Sequence, residues 1–271
     1  MLDIKKAPFI VEISKTTSNM YRLGYDERNG GNISYLLDED ELKDYLDINN
    51  VIREMPLGFD ASELIGKYFL VTGTGKYFKN VEDDPETNLG IVRIKNDGIT
   101  AELLWGYKDG GRFTSEFPTH LMSHMARLKI DKNNKVVIHC HPDNLLAMTY
   151  VLPLDDKTFT KELWQMETEC IVVFPEGVAV LPWMLCGTNE IGEATANKFK
   201  DSYRLVIWSQ HGIYGAGNSL DEAFGLIETA EKAAHIYMLT ANMKRINTLT
   251  DDNLKQLAKF FKVKYREDFL D

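Results

Sequence analysis

Two rhythms of hydrophobic and polar residues run along this chain. Short runs rich in β-branched and aromatic side chains, closed by glycine, proline or asparagine, predict strands at residues 68–72, 89–94, 99–105, 135–141, 170–174, 205–208 and 213–215. A further strand begins just after Asn32. Longer stretches with apolar residues three and four apart predict helices at 8–24, 144–150, 158–166, 189–199, 220–241 and 250–261. Another helix opens near Glu116, with the apolar stripe Phe117, Leu121, Met125 and Leu128. Asn96-Asp97-Gly98 between two apolar runs is a hairpin signal. Residues 38–66 are acidic and poorly periodic, and read as a short helix and a loop. Hairpins with intervening helices imply an α/β protein, a mixed sheet covered by helices on both faces. No repeat, low-complexity tract or linker divides residues 1–271, so they read as a single domain.

The stretch Lys135-Val136-Val137-Ile138-His139-Cys140-His141-Pro142 carries the most chemistry. Side chains alternate along a strand, so His139 and His141 point one way and Cys140 the other. Two imidazoles so placed can reach one metal ion, as neutral nitrogen donors suited to zinc. Four histidines remain as further ligands. His124 falls in the apolar stripe of its helix and reads as a core histidine, and His235 as structural within a long helix. His211 follows the strand 205–208 and precedes Gly212, a strand end where site residues collect. It is the preferred third ligand, with His120 in reserve. Three histidines leave zinc an open position, the requirement for catalysis.

Glu116, in Thr114-Ser115-Glu116-Phe117-Pro118, is the nearest candidate carboxylate. Ser115 reads as an N-cap and Pro118 suits a first helical turn, so Glu116 is either a helix-start residue or an acid/base group favoured as an anion by the helix dipole. Two glycine turns could cradle an anion or be ordinary turns: Asn29-Gly30-Gly31-Asn32, and Gly73-Thr74-Gly75-Lys76 at a strand end. The second lacks the spacing of a nucleotide P-loop, and Tyr77 stands where that motif needs a hydroxyl.

A formal charge of −10 argues against nucleic-acid binding, which wants a basic surface. Three cysteines, without metal-type spacing, suit a reduced cytoplasmic protein with no disulfide framework. No secretory signal is visible, and the apolar segment 171–187, broken by Pro175, Gly177 and Pro182, reads as two short strands around a turn and not as a membrane span.

These pieces in this order resemble the class II sugar-phosphate aldolase and epimerase family over nearly the whole chain. The carrying segments are Asp26-Glu27-Arg28-Asn29-Gly30-Gly31-Asn32, Thr72-Gly73-Thr74-Gly75-Lys76, Thr114-Ser115-Glu116, His139-Cys140-His141, Thr168-Glu169-Cys170 and Gln210-His211-Gly212. The resemblance implies a single-domain α/β/α sandwich around a mixed, largely antiparallel sheet, assembled as a cyclic homotetramer. It implies one zinc ion per subunit on His139, His141 and His211, and metal-assisted cleavage of a ketose 1-phosphate. Glu116 would be the catalytic glutamate. Asn29, Gly31, Asn32, Thr74, Gly75 and Ser115 would hold the substrate phosphate, with Thr74 standing where close relatives are expected to carry serine. Glu169 would be a second acid/base residue, serving the site of a neighbouring subunit. The same resemblance admits a 4-epimerase of pentulose phosphates, or a non-catalytic scaffold like the family's cytoskeletal members.

Overall fold

The computed structural model describes residues 1–271. One nine-stranded sheet runs through it, formed by β1 (Asn32–Leu37), β2 (Arg53–Pro56), β3 (Tyr68–Thr72), β4 (Leu89–Ile94), β5 (Thr100–Gly106), β6 (Val136–Cys140), β7 (Ala179–Leu181), β8 (Leu205–Trp208) and β9 (Gly212–Gly217). The spatial order is β2-β5-β4-β3-β1-β6-β9-β8-β7. Every neighbouring pair is antiparallel except β7 with β8, so the sheet is mixed and largely antiparallel. The helices are α1 (Pro8–Leu23), α2 (Glu39–Leu42), α3 (Pro85–Asn88), α4 (Phe117–Leu128), α5 (Asp143–Val151), α6 (Asp156–Met166), α7 (Cys170–Val173), α8 (Asn189–Lys200), α9 (Leu220–Thr240) and α10 (Asp251–Phe261).

Strand alternation sorts the core into two layers. On one face Val136, Ile138 and Cys140 of β6 join Ile33 and Ile213 in a cluster of 44 buried residues, packed by α1, α6, α9 and α10. On the other face, Val137 with Tyr214 and Ala216 packs beneath α4 and α8. The first helix shows how the termini are set. Pro8 supplies the fixed φ of a first helical residue, and Gly24 closes α1 in the left-handed region at φ 78°, its N–H reaching Met20 and Tyr21 carbonyls.

The structure corrects four local expectations. Residues 170–174 are not a strand: Cys170–Val173 forms a helical turn with Cys170 and Ile171 buried, and the strand of this region is Ala179–Leu181. β2 was hidden in the polar stretch because it is an edge strand, where charge and a proline are tolerated. Glu116 rather than Ser115 stands at the N-cap of α4. His235 lies on the exposed side of α9 and has no structural burial.

Candidate active site

Register brings the first part of the site together. Across β1, β6 and β9, Asn32 pairs with His139, and His139 with Tyr214, so three side chains form one row on the α4 face. His139 is buried, stacked on Tyr214 with ring centroids 4.5 Å apart at 19°. His141 follows at the end of β6, half-buried, and His211 sits in the tight connection between β8 and β9. Gly212 makes this approach possible: a Cβ there would lie 2.8 Å from His141 Cδ2 and 2.9 Å from His139 Cε1. Gly30 does the same from the opposite side, where a Cβ would lie 2.8 Å from His141 Nδ1.

One ligand nitrogen from each of His139, His141 and His211 falls within 4.8 Å of the others, a group able to hold a metal ion. Hydrogen bonding decides which nitrogens face inward. His139 Nδ1 donates to the Ile213 carbonyl at 3.1 Å, and His141 Nδ1 to the Glu27 carboxylate at 3.0 Å. Neither acceptor carries a proton, so in the neutral form that a metal requires both rings present Nε2 lone pairs, 3.2 Å apart. Two lone pairs so opposed repel unless a cation lies between them. Tetrahedral Zn–N bonds of about 2.0–2.1 Å place two ligand nitrogens roughly 3.3 Å apart, so the pair fits one shared ion. Burial, then the neighbouring imidazoles, holds the His139 pKa well below the ordinary histidine range, and burial lowers that of His211. Both are thereby kept in the neutral form a metal requires.

Glu116 completes the floor. It is 8% exposed, and its Oε2 accepts from Asn32 Nδ2 at 3.0 Å and Tyr214 Oη at 2.9 Å, and lies 3.6 Å from His139 Nε2. Burial, then the Glu116 charge, pushes the Tyr214 phenol well above its usual range, so it remains a donor. These groups open into a cavity of about 300 Å³. Its wall also carries Asn29, Gly31, Thr74, Gly75 and Ser115, so the two glycine turns do converge on the histidines. Asn32 lines it too; one amide hydrogen is committed to Glu116 and the other is left for a substrate oxygen. His120 is fully buried beneath this floor and takes no place among the ligands. Lys76 is paired with Asp109 and is absent from the wall; the cation there is Arg28. Glu169 is exposed at the N-cap of α7 and does not line this chain's own cavity.

Sequence reasoning missed Glu27, Arg28 and Tyr214 as site residues. Glu27 and Arg28 stood inside a quoted motif but had no assigned role. Tyr214 could have been found by noting that it lies two residues beyond Gly212, on the same face of its strand.

The family is settled by likeness to known proteins: the chain belongs to the family described as class II aldolase and adducin N-terminal domain, which matches residues 11–238. Rhamnulose-1-phosphate aldolase of Listeria monocytogenes is 58% identical over 269 residues, covering 99% of this chain and 98% of that protein. The rhamnulose-1-phosphate aldolase of Enterococcus faecalis is 54% identical over 271 residues, covering 100% of this chain and 97% of that protein. Among solved structures, a sugar-phosphate aldolase from Thermotoga maritima superposes with a TM-score of 0.75 at 30% identity, over 88% of this chain and 97% of that one.

Proposed function

We propose that this chain is a zinc-dependent aldehyde-lyase that cleaves L-rhamnulose 1-phosphate to dihydroxyacetone phosphate and L-lactaldehyde. The observation that carries this reading is the convergence of three histidine ligands and a buried glutamate at the floor of a cavity rimmed by two amide-rich turns. His139, His141 and His211 would hold the zinc ion, with Glu27 and the Ile213 carbonyl fixing two of the imidazoles. When bound, the ion supplies positive charge where negative charge develops on the substrate oxygens.

The remaining work falls to the chain's own residues. The substrate phosphate sits against Asn29, Gly31, Asn32, Thr74, Gly75 and Ser115, with Arg28 supplying charge. A base takes the C4 hydroxyl proton, the C3–C4 bond breaks, and its electron pair remains on C3. The C4 hydroxyl proton passes through that base to solvent, while Glu116, having taken up a proton from solvent on Oε1, delivers it to C3 and returns to the carboxylate. Its Oε2 is held by two donors, which leaves Oε1 to the cavity. Glu169 serves as the hydroxyl base of a neighbouring subunit in a cyclic homotetramer; its exposure on the single chain fits that role. Three free cysteines are consistent with a cytoplasmic enzyme, and no helix is long and apolar enough to cross a membrane.

The test is a coupled reductase assay for dihydroxyacetone phosphate across a panel of ketose 1-phosphates, with metal content measured on the same protein. Rhamnulose 1-phosphate should give the highest kcat/KM. No release of dihydroxyacetone phosphate from any member, at full metal loading, would refute the proposal.

A further inference from the structure

Beneath the cavity floor runs a buried polar chain that the proposed chemistry leaves unused. Asn32 Oδ1 meets His120 Nε2, His120 Nδ1 lies 2.8 Å from Ser34 Oγ, and Ser34 Oγ lies 2.8 Å from His124 Nε2. Ser34, His120 and His124 are all fully buried. A row of buried polar groups under an apolar helix costs stability unless every member is satisfied, so its persistence asks for a reason.

The Glu116 carboxylate dictates the direction of every proton in it. A carboxylate only accepts, so Asn32 must turn its Nδ2 toward Oε2 and its Oδ1 toward His120. His120 must then carry its proton on Nε2, and its Nδ1 accepts the single proton of Ser34. With that proton used, Ser34 Oγ accepts from His124 Nε2–H, and His124 Nδ1 is left bare. That same Nδ1 is the one ring nitrogen of the chain that is buried with no partner. The opposite polarity would set the Asn32 carbonyl against the Glu116 carboxylate, oxygen against oxygen. Burial keeps both rings neutral, His124 with a pKa of about 3 and His120 well below the ordinary range.

We propose that Ser34, His120 and His124 are positioning residues whose one-way hydrogen-bond chain locks the Asn32 amide, and through it Oε2 of Glu116, so that the free Oε1 is aimed to exchange a proton with C3. This inference deepens the aldolase reading and rests on it. Tyr214 holds Oε2 from the other side, so losing the chain would leave Glu116 with one tether instead of two.

The experiment separates aim from architecture. With dihydroxyacetone phosphate alone, a working Glu116 exchanges a C3 hydrogen with solvent, and deuterium incorporation reads that step without the aldehyde or Glu169. In metal-loaded enzyme, His120→Leu and Ser34→Ala should lower the exchange rate roughly 10- to 100-fold, the usual scale for losing an outer support of a reacting group. His120→Gln, which keeps a donor toward Asn32, should recover most of it at equal metal content. In parallel, ¹⁵N NMR of histidine-labelled wild-type holoenzyme should show His120 and His124 neutral and protonated on Nε2. Unchanged exchange in folded, metal-loaded Ser34→Ala would overturn the proposal even if His120→Leu failed to fold. An Nδ1-protonated His120 would overturn it as well. Absence of exchange in the wild type would instead refute the aldolase reading, and the tautomers would still decide the direction of the chain.

Discussion

Replacing Glu116 by glutamine separates proton chemistry from architecture. The two side chains have the same shape, and the donors that hold Oε2, Asn32 Nδ2 at 3.0 Å and Tyr214 Oη at 2.9 Å, can bond an amide oxygen in the same place. What is lost is the charge assistance, about 1 kcal/mol for each bond on the difference between charged and neutral acceptors. Against this, a neutral group costs less to keep buried than a carboxylate. These opposing effects leave a net change of about 1 kcal/mol or less, a melting shift of no more than about 2–4 °C for a chain of this size. Metal content should stay at the wild-type level, because the three histidines are untouched. The reaction barrier, in contrast, loses a positioned acid if Glu116 has the proposed role. That is worth about 10²–10⁴-fold in rate, or roughly 3–5 kcal/mol. Coupled release of dihydroxyacetone phosphate, metal analysis and a thermal melt on one preparation measure all three quantities. Near-normal turnover with full metal would refute the reasoning and return Glu116 to a helix-start role. Loss of metal together with activity would make it a fourth ligand instead.

Three other outcomes follow from the geometry. His141→Ala removes a half-buried ligand at a strand end and should give a folded, metal-poor, inactive protein; retention of full metal by mass spectrometry would overturn the ligand set. Both carboxylate oxygens of Asp26 are buried without partners, and burial, then the Glu27 charge, lifts its pKa to about 8. The folded chain therefore keeps a proton that the unfolded chain releases above the ordinary carboxyl range, and stability falls as pH rises from about 4 to 8. Asp26→Asn lacks this slope, so its advantage in urea unfolding should grow by roughly 1 kcal/mol per pH unit across that window, and parallel curves would refute the assignment. Subunits carrying His211→Ala and subunits carrying Glu169→Ala should each be inactive, yet regain about a quarter of wild-type activity when randomly mixed in a closed ring. Fully exchanged mixtures that stay dead would remove the trans role of Glu169.

Much of this site was legible because strand periodicity is rigid. Two histidines two apart must share a face, and the apolar runs around them fix which face is core. The same logic places His211 at a strand end, although only register reveals that Tyr214 is opposite His139. Reading failed where an apolar run was too short to show a period. Cys-Ile-Val-Val satisfies a strand and a single helical turn equally, and packing beneath α9 and α10 chose the turn. His120 was ambiguous for a different reason. A histidine four residues from another on a helix can be a ligand or a buried donor, and Ser34, 86 residues away in the sequence, decides between them.

The cavity wall holds no hydrophobic side chain among its 15 residues. A substrate entering it gives up hydration for fixed dipoles and charges, while little apolar surface leaves water. The heat-capacity change that accompanies apolar burial is then small, and binding is governed by enthalpy across the growth range. Discrimination takes a corresponding form. On the proposed placement of the phosphate, a sugar without it is not repelled; it would leave amides of two turns dehydrated and unpaired, at about 1–3 kcal/mol for each stranded group. Such a site sorts its ligands by the vacancies they would create, and that criterion changes little between a cold cell and a warm one.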